Sequence, residues 1–391
     1  LVAFRFGVVF AAILVLPFPL DLVPKSSFLA EKYGDLWSWA AHHFGDWICV
    51  SVPPSQPTGS GDTLEVYVTT LLALVVALVA AAIWTALDRK RIAYPRVAAV
   101  TRLMLRYWLG YTMLSYGFAK VFKTQFPYPM PVRLEEPLGQ MSPMGLLWTF
   151  MGYSLPYNVF TGAAECVGGA LLLFRRTTTL GSLVLIAVLA NVVMLNFCYD
   201  VPVKLFSCEL LLVAIVLSWP DLGRVASVIF GFAAPATSDD RWLLSPRWRR
   251  VAIVAKLLVL ISLFYHQLAQ GFEYASSFDQ FVTPLDGRYD VVEAPPDLHV
   301  SRVASGFGAL FIWTTGGTEP VPFQATFEAP HTVKLAGPGG GGVLSYAKAG
   351  PVVVLDGDWN TRKVHVVLHE RAPALLDTRG FHWIAEYPFN R

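Results

Sequence analysis

VYVTTLLALVVALVAAAIWTAL, residues Val66–Leu87, runs for twenty-two positions without a charged side chain. A helix needs about 20 apolar residues to cross the roughly 30 Å of hydrocarbon in a bilayer. This stretch therefore reads as a membrane span. Six further runs pass the same test: Leu1–Leu20, Val97–Phe122, Tyr157–Phe174, Leu180–Phe197, Pro202–Trp219 and Val251–Ala269. The fold class that follows is a polytopic α-helical membrane protein with about seven transmembrane helices. Composition agrees, with 54% hydrophobic and only 15% charged residues in 391, where soluble domains run near a quarter charged.

Two apolar pieces are too short or too polar to cross. Pro143–Gly152 and Leu36–Trp47, both rich in aromatics, read as interfacial or re-entrant segments. Leu1–Leu20 lacks an A-x-A site before Asp21, so it reads as a retained span rather than a cleaved signal. Residue 1 is Leu, so the numbering is expected to begin inside the natural chain.

Lys and Arg collect on alternate links, which sets the orientation. Arg89, Lys90, Arg91 and Arg96 follow the second span, Arg175 and Arg176 the fourth, and Arg224, Arg241, Arg247, Arg249 and Arg250 the sixth. Asp21, Glu31, Asp35, Asp46, Asp62 and Glu65 fall in the opposite loop. The amino terminus is thus expected in the cytoplasm, and an odd number of spans puts the carboxyl-terminal part outside it, on the periplasmic side of a bacterial inner membrane. A net charge of +2 offers no argument for nucleic acid.

After Phe272 the pattern changes to alternation. Arg288–Val292, Phe323–Glu328, Thr332–Leu335, Val343–Ala347, Val352–Leu355 and Lys363–Leu368 read as strands, separated by turn signals at Ala294–Asp297, Gly337–Gly342 and Asp356-Gly357. A small antiparallel sheet or partial barrel is expected, with Gly380–Arg391 packing back onto the sheet or the membrane face. The domain plan is 1–96, a transmembrane pair with an outer loop; 97–220, a four-helix unit; 221–272, a cytoplasmic link and the last transmembrane helix; and 273–391, an extracytoplasmic β-rich domain.

Ionisable groups at the centre of a span cost roughly 2.5 to 3.5 kcal/mol, so each needs a reason. On the third span Arg106, Met113, Gly117 and Lys120 share one helical face. Glu165 lies about 12 Å below the outer boundary by helical rise. Asn191 and Asp200 sit on or after the fifth span, Lys204 and Glu209 on the sixth. Lys120, Glu165, Asn191, Asp200, Lys204 and Glu209 all fall in the outer half of the bilayer, which suggests a polar pocket among spans three to six. The plainer reading is that Lys–Glu pairs neutralise one another and lock helices together.

YGFAK at Tyr116–Lys120, GAAECVGGALLL at Gly162–Leu173 with Arg175-Arg176-Thr177 behind it, and NFCYDVPVK at Asn196–Lys204 together resemble the DoxX-like membrane proteins. The resemblance implies a four-helix core with a Lys closing its first helix and a Glu inside the second, over roughly Val97 to Trp219. TGSGDT at Thr58–Thr63 and the ending GFHWIAEYPFNR at Gly380–Arg391 resemble a longer, uncharacterised bacterial subgroup. The family resemblance implies links to thiol redox chemistry and to quinone as a cofactor. A more distant resemblance to the membrane part of vitamin K-dependent carboxylases would make Lys120 or Lys123 a base, but the other motifs are missing and the β domain is too small for carboxylase activity to be expected.

Candidate chemistries follow. Cys198 with Cys49 or Cys208 could form a redox-active thiol pair, and Lys204, one turn before Cys208, would favour a thiolate; a lone cysteine in a span is more often apolar filling. Tyr116, Trp148, Phe197, Tyr199 and Phe206 could wall a quinone or lipid slot, although interfacial aromatics more often form a belt. His42 and His43 diverge by about 100° on a helix and do not make a metal site. Thr58–Thr63 lacks the following GK[ST] of a phosphate loop and reads as a turn capping the second span. No catalytic set emerges. The leading expectation is a subunit of a larger membrane complex, contacting membrane lipids, with the β domain docking a partner. A quinone- or thiol-linked redox component and a carrier of lipid or small ligands are the alternatives.

Overall fold

The computed structural model describes residues 1–391 except 21–24, 55, 57, 234–249, 251–252, 255–256, 258–259, 263, 267, 270, 274–282, 329, 339, 381 and 384–391. The chain divides into two units, Leu1–Phe126 with Ser154–Gly271, and Pro127–Tyr153 with Phe272–Arg391. The segment between the third and fourth spans, placed by the sequence reading inside the four-helix unit, thus groups with the β-rich end.

The first unit is helical: α1 Val2–Val15, α2 Ser27–Trp47, α3 Leu64–Leu87, α4 Pro95–Val121, α7 Leu155–Leu172, α8 Thr178–Cys198, α9 Lys204–Ser218 and α10 Leu222–Ile229. The described residues between 250 and 271 are helical as well; much of the expected seventh span, and Arg241, Arg247 and Arg249, lie outside the described residues. Local chemistry explains the boundaries. Thr63 accepts a hydrogen bond from the Val66 N–H to start α3, and Ser154 does the same from Tyr157 for α7. Pro95 begins α4, where its missing N–H is harmless. Pro17 and Pro19 follow the end of α1 and cannot continue it, so that helix has 14 residues rather than the full run to Leu20.

Among the described residues three stretches are long and apolar enough to cross a membrane: Leu64–Leu87, Arg175–Cys198 and Lys204–Ile229. The count of seven drawn from sequence is larger. The difference lies in α1, which is short, in α4 and α7, which carry cations and Glu165 respectively inside otherwise apolar helices, and in Val251–Ala269, much of which lies outside the described residues. Helix α2 extends well before the Leu36–Trp47 piece and packs along α3.

The second unit contains α5 Pro131–Glu135, α6 Pro143–Tyr153 and eight strands: β1 Gly287–Glu293, β2 Val300–Gly306, β3 Ala309–Thr314, β4 Val321–Glu328, β5 Thr332–Gly337, β6 Gly340–Ala349, β7 Val352–Trp359 and β8 Arg362–Glu370. Each pairs antiparallel with the next, and β1 pairs with β8, so the sheet is a closed barrel in chain order. Its interior is filled by Leu285, Tyr289, Val303, Leu310, Phe323, Val333, Leu344, Val353, Leu355 and Leu368. Gln324, Thr326, Glu328 and Lys334 alternate outward. Apolar-in and polar-out is the reverse of a lipid-facing barrel.

Closure, the β2–β3 hairpin and one turn depart from the sequence reading. The β2–β3 turn, Phe307-Gly308, has two left-handed residues at φ 56 and 69°, a geometry usually announced by Asn-Gly or Asp-Gly. Asp356-Gly357 is no turn but the interior of β7: a Cβ on Gly357 would lie 2.3 Å from the Val343 carbonyl oxygen, so the glycine allows a close strand approach. The turn comes later, at Asn360-Thr361, both left-handed. The tail Gly380–Arg391 is largely outside the described residues.

Helix α5 is held to the barrel by charge. Glu135, with its side chain 5% exposed, meets Arg288 Nη1 at 3.1 Å and Arg302 Nη1 at 3.2 Å, and also pairs with Arg371. Helix α6, at 11 residues, is too short to cross a bilayer.

Candidate functional site

Glycine spacing decides how α4 and α7 meet. Gly110 and Gly117 are seven residues apart on α4, and Gly162 and Gly169 are seven apart on α7, so each pair lines one helical face. The helices run antiparallel with these glycines opposed. A Cβ on Gly117 would fall 2.6 Å from the Gly162 carbonyl oxygen, and one on Gly169 would fall 2.9 Å from that of Gly110. Backbones approach this closely only where side chains are absent, the usual basis of helix association in lipid.

Lys120 follows Gly117 by three residues and Glu165 follows Gly162 by three, so the same faces bring the two charges together. Lys120 Nζ lies 2.9 and 2.8 Å from the two Glu165 carboxylate oxygens. The residues are 7% and 2% exposed. The rings of Tyr116 and Phe126 lie 5.8 and 5.9 Å from Nζ. Asn158, fully buried, donates from Nδ2 to the Phe126 carbonyl at 3.2 Å. In the last turn of α4 the ammonium also faces that helix's negative end.

A second polar group forms around the start of α9. Lys204 Nζ is 2.8 Å from Asp200 and 3.7 Å from Asp62. The Asp62 carboxylate accepts the backbone N–H groups of Lys204 at 2.8 Å and Leu205 at 3.1 Å. Thr58–Thr63 therefore caps twice, with Thr63 at α3 and Asp62 at α9. The carboxylate at the positive end of α9 comes from Asp62, whereas Asp200 has a side chain 82% exposed. Local sequence carries no signal for this cap, because donor and acceptor are 142 positions apart.

The six pocket candidates thus form two separate pairs and two single residues. Asn191 is exposed on α8, and Glu209 is half-buried on α9 with no hydrogen bond or ion pair among the described residues. On α8 it is Asn196, five residues after Asn191, that is buried, with Nδ2 3.5 Å from the Val203 carbonyl. Cys49 and Cys198 are exposed and Cys208 is half-buried, all as free thiols. His42 and His43 each turn Nδ1 toward a carbonyl one helical turn back, Ser38 and Trp39, both at 2.8 Å.

Sequence reading missed Arg5. It is 2% exposed, with Nη1 donating to Thr85 Oγ1 at 2.8 Å and Nη2 donating to the Asp88 carbonyl at 2.6 Å and Tyr94 OH at 2.7 Å. Tyr94 OH donates in turn to the Asp88 carboxylate at 2.8 Å. A single arginine in an apolar helix was the available signal, since such a charge requires partners.

Comparison with known proteins places these pairs in context. The DoxX family model matches residues 101–196, a range that contains both Lys120 and Glu165. An uncharacterized protein, YwoB, of Bacillus subtilis (strain 168) is 34% identical over 116 residues, covering 30% of this chain and 73% of the relative. No solved structure matches the chain. The range matched by the family model contains both glycine pairs, and with that relative the chain belongs to the DoxX family of membrane proteins.

Proposed function

We propose that this protein is a membrane-embedded scaffold subunit of a larger complex, with its β-barrel docking a partner outside the cytoplasm. One observation carries the reading: the Lys120–Glu165 pair is closed, with the ammonium satisfied by both carboxylate oxygens and both residues less than a tenth exposed. A pair in that state locks two helices and leaves no charge to meet a substrate. The barrel supports the same reading, because its interior is occupied by side chains and only its polar exterior can engage another molecule.

In this reading α1, α4, α7 and the helix after residue 250 cross the bilayer along with the three apolar stretches. Arg89, Lys90, Arg91, Arg175, Arg176 and Arg224 cluster at the helix ends opposite those of Asp62 and Asp200, which supports a cytoplasmic amino terminus. Purification in mild detergent followed by native mass spectrometry is the test. Stoichiometric partners that are lost when outward barrel residues such as Lys334 and Lys363 are reversed in charge are expected. A lone monomer from membranes in which the protein is functional would defeat the proposal.

A quinone-linked redox role is the second reading, favoured by one feature. Phe206 contacts Trp108 and Tyr116, with ring centroids 6.2 and 6.3 Å apart, one turn from Glu209, which has no ion-pair partner among the described residues. Quinone recovered by extraction of the purified protein, and lost in Glu209→Leu, would move the assignment there.

A further inference from the structure

Arg102 and Arg106 are four residues apart on α4 and share a face. Arg102 is engaged through one nitrogen: Nη2 lies 2.7 Å from Asp221 Oδ2 and 3.2 Å from the Leu217 carbonyl. Asp221 also receives Thr179 Oγ1 at 2.8 Å and Arg224 Nη1 at 3.2 Å. That single carboxylate is therefore committed to two arginines and a hydroxyl.

Arg106 has no such anion. Its guanidinium lies over the Tyr107 ring, 5.0 Å from the centroid, and interacts with the Tyr107 side chain, while its Nε is buried with no acceptor. Among the described residues no carboxylate reaches it by hydrogen bond or ion pair, and Arg102 and Arg175 both act on it as like charges. Asp221 ties the start of α8, the end of α9 and Arg102 to one height. Since Arg175–Cys198 has the length and composition of a span and Thr179 stands near its start, that height lies close to one boundary of the bilayer. Arg106 sits one turn, about 6 Å, inside it. A guanidinium at this depth reaches back toward the level of lipid phosphates, and its planar fork matches two oxygens of one phosphate.

We propose that Arg106, with Arg102 and Arg175 around it, is a binding site for a phosphate group, supplied by the headgroup of an anionic phospholipid. Basic pockets between transmembrane helices at this level bind such headgroups. The missing anion of the α4 cluster is then a lipid rather than a side chain.

The test is native mass spectrometry of the full chain in detergent, with phosphatidylglycerol, phosphatidylcholine or inorganic phosphate added. Phosphatidylglycerol adducts are expected to exceed phosphatidylcholine adducts, to survive inorganic phosphate, and to weaken about tenfold to a hundredfold in Arg106→Gln. Arg106→Lys should recover part of the binding, having the charge without the fork. If Arg106→Gln does not fold, Arg175→Gln, at an exposed position, should weaken binding several-fold instead. Equal binding of both lipids, or undiminished phosphatidylglycerol binding in the folded variant, overturns the site. Displacement of the lipid by inorganic phosphate overturns the lipid as its source.

Discussion

The two units bury polar groups by opposite rules. In the helical unit the interface between α4 and α7 has backbone against backbone and an ion pair inside it; in the barrel the interior is apolar and the ion pairs lie outside, as with Lys334–Glu328 and Lys363–Asp358. On the proposed reading that α4 and α7 cross the bilayer, solvent explains the contrast. Lipid tails are as apolar as leucine, so helices gain little by hiding leucines from them and associate through close packing and polar contacts. A barrel with a polar exterior gains its stability by withdrawing apolar side chains from water.

Breaking the pair tests the helical side most severely. Glu165→Gln leaves a buried ammonium without its counter-charge and should cost about 3–5 kcal/mol, read as a lower midpoint of thermal unfolding in detergent. The double variant Lys120→Met, Glu165→Leu should recover much of that loss. A single variant as stable as the parent would show that the pair is not buried in apolar surroundings.

In the barrel the largest effect should come from an apolar residue. Leu310→Ala, at a site 2% exposed, should cost about 2–5 kcal/mol. Lys334→Ala, at an exposed pair 2.7 Å from Glu328, should cost no more than about 1 kcal/mol. The reverse order would end the distinction between the units.

Gly117→Ala comes next. Its Cβ would stand 2.5 Å from Cys166 Sγ and 2.6 Å from the Gly162 carbonyl, and the overpacking should cost about 1–3 kcal/mol in the same detergent assay. Gly7→Ala, on α1 with nothing within 4 Å, should be neutral or gain up to about 1 kcal/mol.

The smallest effect belongs to the barrel surface. The Asp356 carboxylate, hydrogen-bonded to His365 Nδ1 at 2.6 Å, raises the imidazole above its ordinary 6.5. A raised folded value makes the contribution complete below 6.5 and lost as pH rises through that higher value. Titration of His365 followed by NMR should show the elevation, and Asp356→Asn should remove it. An unshifted His365 would show that the exposed pair is screened out entirely.

Much of the helical half could be read directly from sequence. Runs such as Val66–Leu87 announce themselves because a span needs one property sustained over twenty residues. The Lys120–Glu165 partnership was within reach through the family resemblance and the shared helical faces. The six polar residues were not legible as one group, because which of them pair depends on rotation about each helix axis, which packing sets: Lys120 meets Glu165 and Lys204 meets Asp200 and Asp62, with Asn191 and Glu209 bonded to neither among the described residues. Asp62 was hidden for a related reason: it caps a helix that begins far along the chain, and capping statistics describe neighbours only.

What the sequence determined alone is what local composition governs: apolar helices, six of the eight strands after residue 287, and the alternate placement of basic links. What only the tertiary structure decided is which polar groups meet. It closed eight strands into a barrel, set Arg5 against Asp88 and Tyr94, and left Arg106 without a carboxylate among the described residues. Hydrophobic periodicity is summed along the chain, whereas a hydrogen bond requires two groups within about 3 Å across space, a condition that no single stretch contains.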